Sequence, residues 1–267
     1  MRDAEIKCGW AMFDLGFGMT LLLFVAGVAA GALNAVAGGA TFFTFPALML
    51  SGLAPLVANA TNFVALVPSN FAALPAFRAE LKALGRKLIA LLVIGAMGGL
   101  IGALALVNLG GDLFTSLVPY LMGFATVLFA TAPYIRRAVE RLNGRPTKKG
   151  AIAPMILLFV FSIYGGYFGA GLGQIILATL VLSGYDDFHI SNALKNSIIA
   201  AISLVSVAVY GFSGAVSLPH AIIMMMGATV GGYLGGSMSK RVPQKTLRIG
   251  VIVFGTLLTV YYFVSNP

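Results

Sequence analysis

Apolar stretches alternate with short polar interruptions along all 267 residues, and nearly all the charge falls in the interruptions. The apolar runs are Phe17 to Ala37, Ala40 to Leu50, Pro55 to Phe77, Leu88 to Val107, Leu113 to Tyr134, Ala151 to Phe168, Leu172 to Leu182, Ile190 to Phe212, Pro219 to Met238 and Leu247 to Val264. Most reach the ~20 residues that a helix needs to cross a bilayer, whereas Ala40 to Leu50 and Leu172 to Leu182 do not. Runs apolar on every side predict helices, because a backbone surrounded by lipid must satisfy its hydrogen bonds within one segment.

Glycines interrupt this pattern twice, in the same way. Ala37-Gly38-Gly39-Ala40-Thr41 leads to Leu50-Ser51-Gly52, and Gly169-Ala170-Gly171-Leu172-Gly173 leads to Leu182-Ser183-Gly184. Ala58-Asn59-Ala60 then corresponds to Ser191-Asn192-Ala193, and the glycine-rich stretch Gly95 to Gly102 corresponds to Gly227 to Gly235 with one residue inserted. This is an internal repeat. It divides the chain into a tail over 1–16, a first membrane repeat over 17–135, a basic linker over 136–150 and a second membrane repeat over 151–267.

Composition fixes the class. Hydrophobic residues make up 59% of the chain and charged ones 9%, against about 25% charged in soluble domains, so the expectation is an all-α polytopic membrane protein. A net charge of +9 would suggest nucleic acid in a soluble chain, but of the 17 basic residues all except Arg2, Lys7 and Lys195 fall in three connecting segments. That distribution is a topology signal and excludes a nucleic-acid reading. Arg78, Lys82, Arg86 and Lys87 follow the Asn-Ala run of the first half; Lys240, Arg241, Lys245 and Arg248 precede the last run of the second; the linker carries Arg136, Arg137, Arg141, Arg145, Lys148 and Lys149. Placing the three on the cytoplasmic face requires an odd number of crossings per half and inverts the halves relative to one another. Either each short segment crosses, giving five crossings per half, or each first run and its short partner form a re-entrant hairpin followed by three crossings. The expected architecture is two inverted-topology repeats whose glycine-broken or re-entrant short helices meet near the bilayer midplane. A lone Cys8 supplies neither a disulfide nor a metal pair, and the first ten residues lack a small-x-small cleavage site, so the first apolar run is read as retained.

Unwound backbone is tolerated in lipid only where protein buries it or it lines a cavity. A helix amino terminus starting there presents about half a positive charge and free amides, an anion site that needs no buried lysine. Gly38, Gly39 and Thr41 are the candidates of the first break and Gly171, Gly173 and Gln174 those of the second. Gly95, Gly98, Gly99, Gly102, Gly227, Gly231 and Gly235 are read instead as close-packing residues. Asn59, Thr61 and Asn62, with their counterparts Asn192, Lys195, Asn196 and Ser197, are polar residues at the starts of apolar helices. Capping accounts for one or two of them. It does not account for Lys195, the only basic residue within an apolar segment: either it meets an anion there, or it snorkels or pairs with Asp186 or Asp187. His189 and His220 sit at segment edges, where a solvated imidazole is expected. All eight Asp and Glu residues lie in the tail, in connections or at segment ends, so a buried-carboxylate proton relay has no candidate.

The stretch from Gly31 to Leu48, with Ser51-Gly52 and Ala58-Asn59-Ala60-Thr61-Asn62, resembles the sulfite exporter TauE/SafE family of membrane permeases. Gly165 to Gly173, followed by Asn192 to Ser197, is similar to that family's second signature, although Ala193-Leu194-Lys195-Asn196 stands where the family often has Ala-x-Gly-Thr. The resemblance implies transport of small anions, chiefly sulfite, sulfonates and sulfoacetate-like compounds, across the bacterial inner membrane. No cofactor and no metal are expected; the expected partners are the anionic substrate and the bilayer, with a coupling proton or ion left open. The competing classes are an anion channel or a non-transporting membrane subunit. An intramembrane enzyme lacks an embedded nucleophile and base, and a nucleotide-driven pump lacks a phosphate-binding loop.

Overall fold

The computed structural model describes residues 15–36, 39–72, 74–142, 152–185, 187–238 and 244–265. In chain order the helices are α1 (Phe17–Val36), α2 (Thr41–Leu50), α3 (Pro55–Ala72), a 3₁₀ turn (Leu74–Phe77), α4 (Arg78–Leu84), α5 (Arg86–Leu109), α6 (Gly111–Leu142), α7 (Ile152–Tyr167), α8 (Leu172–Leu182), α9 (Phe188–Phe212), α10 (Leu218–Met238) and α11 (Gln244–Ser265). The described residues contain no strand. Among the described residues four stretches, Phe17–Asn34, Arg86–Leu109, Gly111–Thr131 and His189–Phe212, are long and apolar enough to cross a membrane. Val93, Met97, Leu100 and Leu104 along α5, and Val253, Leu257, Val260 and Val264 along α11, are exposed. Such bands are the lipid-facing surface of a bundle rather than a stable water interface.

The helices follow the apolar runs, with one systematic difference. Part of the basic connections is helical: Arg78 and Lys82 lie on α4, Arg86 and Lys87 open α5, and α6 continues to Leu142 through Arg136, Arg137 and Arg141. The apolar pattern stops at Tyr134, but Arg, Ala, Glu and Leu are good helix formers and no breaker occurs before Gly144 and Pro146.

Glycine sets how closely these helices approach. A Cβ on Gly98 of α5 would stand 2.6 Å from the Ser162 Cβ of α7, and one on Gly102 would run into the Ile163 carbonyl. On the opposite pair, Gly27 and Gly31 of α1 lie against the carbonyls of Met224 and Ala228, while Gly227 and Gly231 of α10 lie against those of Phe24 and Val28. Gly95 and Gly99 accommodate Ile198 and Ile202 of α9. The packing role read from the sequence thus holds for six of the glycines, while Gly235 lies outside the side chains described. Residue numbers rise together across both close contacts, so α1 runs parallel to α10 and α5 parallel to α7. In contrast, α3 and α9 are antiparallel: Asn70 Nδ2 donates to Ser203 Oγ at 2.9 Å, and seven residues away on each helix the Phe63 and Tyr210 rings meet at 5.3 Å.

Each break sits between a longer helix and a short one. Leu172 at the start of α8 covers Gly165 near the end of α7, and Leu157 and Phe161 share a cavity of about 190 Å³ with Gln174, Ala178 and Leu182. α7 and α8 therefore form an antiparallel hairpin whose tip is the second break. Gly39 (φ +91°), Gly169 (+77°) and Gly171 (+73°) hold left-handed backbone at the breaks, a conformation that any side chain would strain. Around them lie buried aromatic rings: Phe45 of α2 meets Phe168 at 5.4 Å and Phe114 at 6.4 Å, both edge-on, and Phe42 meets Phe129 at 5.9 Å. These rings keep the unwound backbone away from lipid.

Candidate functional site

At the first break the start of α2 is tied to α3 by a polar knot. Thr41, Thr44 and Asn62 are all buried. The Thr44 hydroxyl lies between the Ala40 carbonyl, 3.1 Å away, and Asn62 Oδ1; with one proton it donates to one of them at a time. Asn62 Nδ2 faces Thr41 Oγ1 at 3.5 Å, a long and weak contact. Gly39 packs beside Phe129 and Val251. Gly38 lies outside the described residues.

The second break is held by side chains from both halves. Asn59 Nδ2, on α3, donates to the Tyr167 carbonyl at 2.9 Å, and the Tyr210 hydroxyl, on α9, donates to that of Gly166. These two bonds satisfy carbonyls that α7 leaves open where it stops inside the protein. Tyr164 donates to the Ala170 carbonyl at 2.7 Å, Gly169 packs against Phe63, and Gly171 lies over Ala125. Asn59 is fully buried, and its Oδ1 has no hydrogen-bond partner.

Thr61, equally buried, accepts the Ser217 amide at 3.0 Å, and Ser217 Oγ lies 2.7 Å from His220 Nδ1. His220 therefore differs from the solvated imidazole expected: its Nε2 is buried without a partner, because the contact between Ser217 and Thr61 folds the turn ahead of α10 onto α3. His189 is exposed.

On α9 the helix is capped by Asp187, whose carboxylate accepts the Ile190 amide at 2.9 Å. Asn192, Lys195, Asn196 and Ser197 lie beyond it, inside the helix, so capping explains none of them. Ser197 is bonded back to the Ala193 carbonyl at 2.9 Å, an ordinary helical arrangement. The stem of Lys195 passes the second break: its Cδ would stand 3.7 Å from a Cβ on Gly173. Asn192 and Asn196 are half-buried, and Gln174 lines the cavity beside α7.

A shift of 133 residues superposes Asn59 on Asn192, and also Asn62 on Lys195 and Asn70 on Ser203. Asn62 reaches Thr41 just as Lys195 reaches Gly173, one residue short of the same shift. The bond between Asn70 and Ser203 joins positions that the same shift makes equivalent. Residues that sequence reading missed are Thr44, Tyr167, Asn70, Ser203 and Ser217. Thr44 was findable, one turn from Thr41 on the same helix face; the others depend on contacts between distant segments.

The sequence profile described as Sulfite exporter TauE/SafE matches residues 23–262. The chain belongs to the sulfite exporter TauE/SafE family. It is similar over nearly its whole length to curated proteins named as transporters. The "Probable membrane transporter protein" of Haemophilus influenzae is 24% identical over 92% of this chain and 95% of its own. "Probable membrane transporter protein ORF9" of a Sinorhizobium species is 25% identical over 93% and 94%, and "Probable membrane transporter protein YfcA" of Escherichia coli K12 is 24% identical over 89% and 87%. No solved structure matches the chain. This TauE/SafE family member is a multi-pass membrane transporter.

Proposed function

We propose that the protein carries a small sulfur-containing anion, such as sulfite or a sulfonate, across the bacterial plasma membrane by alternating access around the two glycine breaks. The observation that carries this reading is the second break. There the left-handed Gly171 starts α8 inside the bundle, and Lys195, the only basic residue within an apolar segment, extends past Gly173. A helix amino terminus and an ammonium both favour anionic ligands, and intramembrane charge is functional by default. Gly39, Thr41 and Asn62 form the first half of the site, with neutral donors where the second half has a cation; Gly38, Thr61, Gln174, Asn192, Asn196 and Ser197 complete the set of candidates, whereas Asn59 is engaged by the Tyr167 carbonyl. The family description supports the choice of sulfur oxyanion.

Helix directions support inverted halves. Direction alternates along each repeat, so parallel α1/α10 and α5/α7 with antiparallel α3/α9 are obtained only if the second repeat is turned over. At about 16 Å, α8 is half the ~30 Å hydrocarbon thickness, which favours the re-entrant hairpin over a fifth crossing; the reading has the breaks at mid-depth, and the basic connections support a cytoplasmic placement for those segments.

Purified protein in liposomes should take up radiolabelled sulfite saturably. Lys195→Ala should raise KM about tenfold, on the order of 1.4 kcal/mol, and Lys195→Arg should recover most of that loss. Unsaturable flux in the wild type, or equal KM in all three proteins, would refute the reading.

A further inference from the structure

The second break offers opposite chemistry at its two ends. If α8 begins there with its amides directed to an anion, α7 ends there with its carbonyls open and its dipole negative. Side chains satisfy two of these carbonyls, Tyr210 at Gly166 and Asn59 at Tyr167. Hydrogen bonding also fixes the orientation of the Asn59 amide. With Nδ2 donating to the Tyr167 carbonyl at 2.9 Å, a flipped amide would put two oxygens against each other. The remaining atom, Oδ1, is held in place, wholly buried and unpartnered. Amide geometry places it about 2.3 Å from Nδ2, and so within about 5 Å of the Tyr167 carbonyl oxygen. That carbonyl keeps a second lone pair, and Tyr167 also has a buried hydroxyl with no partner.

An oxygen left so, without a donor, costs about 1–3 kcal/mol. Oxygen dipoles repel an anion. They suit a cation, and with every Asp and Glu outside the middle of the segments they offer partial charge only, which suits a single positive charge better than two. In secondary transporters generally, unwound carbonyls and half-helix carboxyl ends hold the coupling ion.

We propose that Asn59 Oδ1 and the carbonyl end of α7 hold a sodium ion whose binding is coupled to the anion at the start of α8. This rests on the transport reading above. The two ions meet opposite ends of one backbone break, so each strengthens binding of the other by the same factor.

The test measures sodium binding directly, apart from flux. Full-length protein in lipid nanodiscs should bind radiolabelled Na+ saturably, with displacement by unlabelled NaCl but not by choline chloride. Asn59→Leu should weaken binding about tenfold or more, and Asn59→Asp, which keeps acceptor oxygens and adds charge, should tighten it. Absence of saturable Na+ binding in the wild type, as expected if water fills the place, would overturn the proposal, as would identical binding in wild type and Asn59→Asp; that second comparison stands even if the leucine variant does not fold. Sulfite flux measured in parallel in sodium medium and in choline medium separates the two readings. Flux without Na+ binding ends only the sodium site, whereas Na+ binding without any anion movement ends the transport reading.

Discussion

Replacing Gly102 by alanine adds a single methyl group, and its effect follows from where that group would go. The added Cβ would collide with the Ile163 carbonyl and stand 2.7 Å from the Tyr167 amide nitrogen. Both are backbone atoms, so no side chain can rotate away, and α5 and α7 must separate. Overpacking of this kind costs about 1–3 kcal/mol. At roughly 2–4 °C per kcal/mol for a chain of this size, thermal unfolding should fall by about 2–12 °C. Gly232→Ala is the internal control: it lies in α10 with nothing within 4 Å of its added Cβ, and it gains about 0.5–1 kcal/mol of helix propensity. Its unfolding temperature should rise by about 1–4 °C. The assay is heating in mild detergent followed by size-exclusion detection of the remaining monodisperse protein. Shifts of the same sign and size in the two variants would refute the claim that backbone contact between α5 and α7 governs stability. Because α7 ends at Tyr167, the Gly102 variant should also lose transport, while the Gly232 variant keeps it.

Gly171→Ala, forced to hold φ +73°, should lose about 1–2 kcal/mol, whereas Gly211→Ala in α9, with open space around it, should not; equal unfolding temperatures would argue against a left-handed cap on α8. A double-mutant cycle on Asn70→Ala and Ser203→Ala should give a coupling of about 0.5–1.5 kcal/mol, and strict additivity would argue against the bond. With Cys8 replaced by serine, single cysteines at Asn108 and Ser213 should react with an impermeant maleimide from the outside of intact cells, and cysteines at Arg78 and Lys82 only after the membrane is opened. Labelling of all four from one side would contradict inverted halves.

Helices, breaks and packing glycines were legible because each leaves a local trace: apolar length, glycine spacing and the position of basic residues. The close contacts of Gly98 and Gly102 follow the small-residue spacing that lets two backbones touch. Where α6 stops was not legible, because a membrane helix can run on into water as long as its residues favour helix. At the candidate site, Thr41, Asn62 and Lys195 were readable as polar residues in apolar surroundings. Tyr167 was not. Its role comes from its main-chain carbonyl, which carries no residue-type signature, and from a bond to Asn59, 108 residues away. His220 shows the same limit, since its burial depends on Thr61 holding Ser217.

The glycine-lined contacts also bear on how such a chain could arise and be divided. The helix ahead of each break has its closest backbone contact in the opposite half, α1 on α10 and α7 on α5, so the halves clasp each other and neither is a self-sufficient unit. Expressed separately, residues 1–142 and 152–267 would each expose a stripe of bare backbone, and only co-expression would cover both. If the halves are inverted as proposed, a half-length ancestor could have covered that stripe only against a copy inserted upside down. Duplication and fusion would then have fixed in one polypeptide a pairing that earlier required dual insertion.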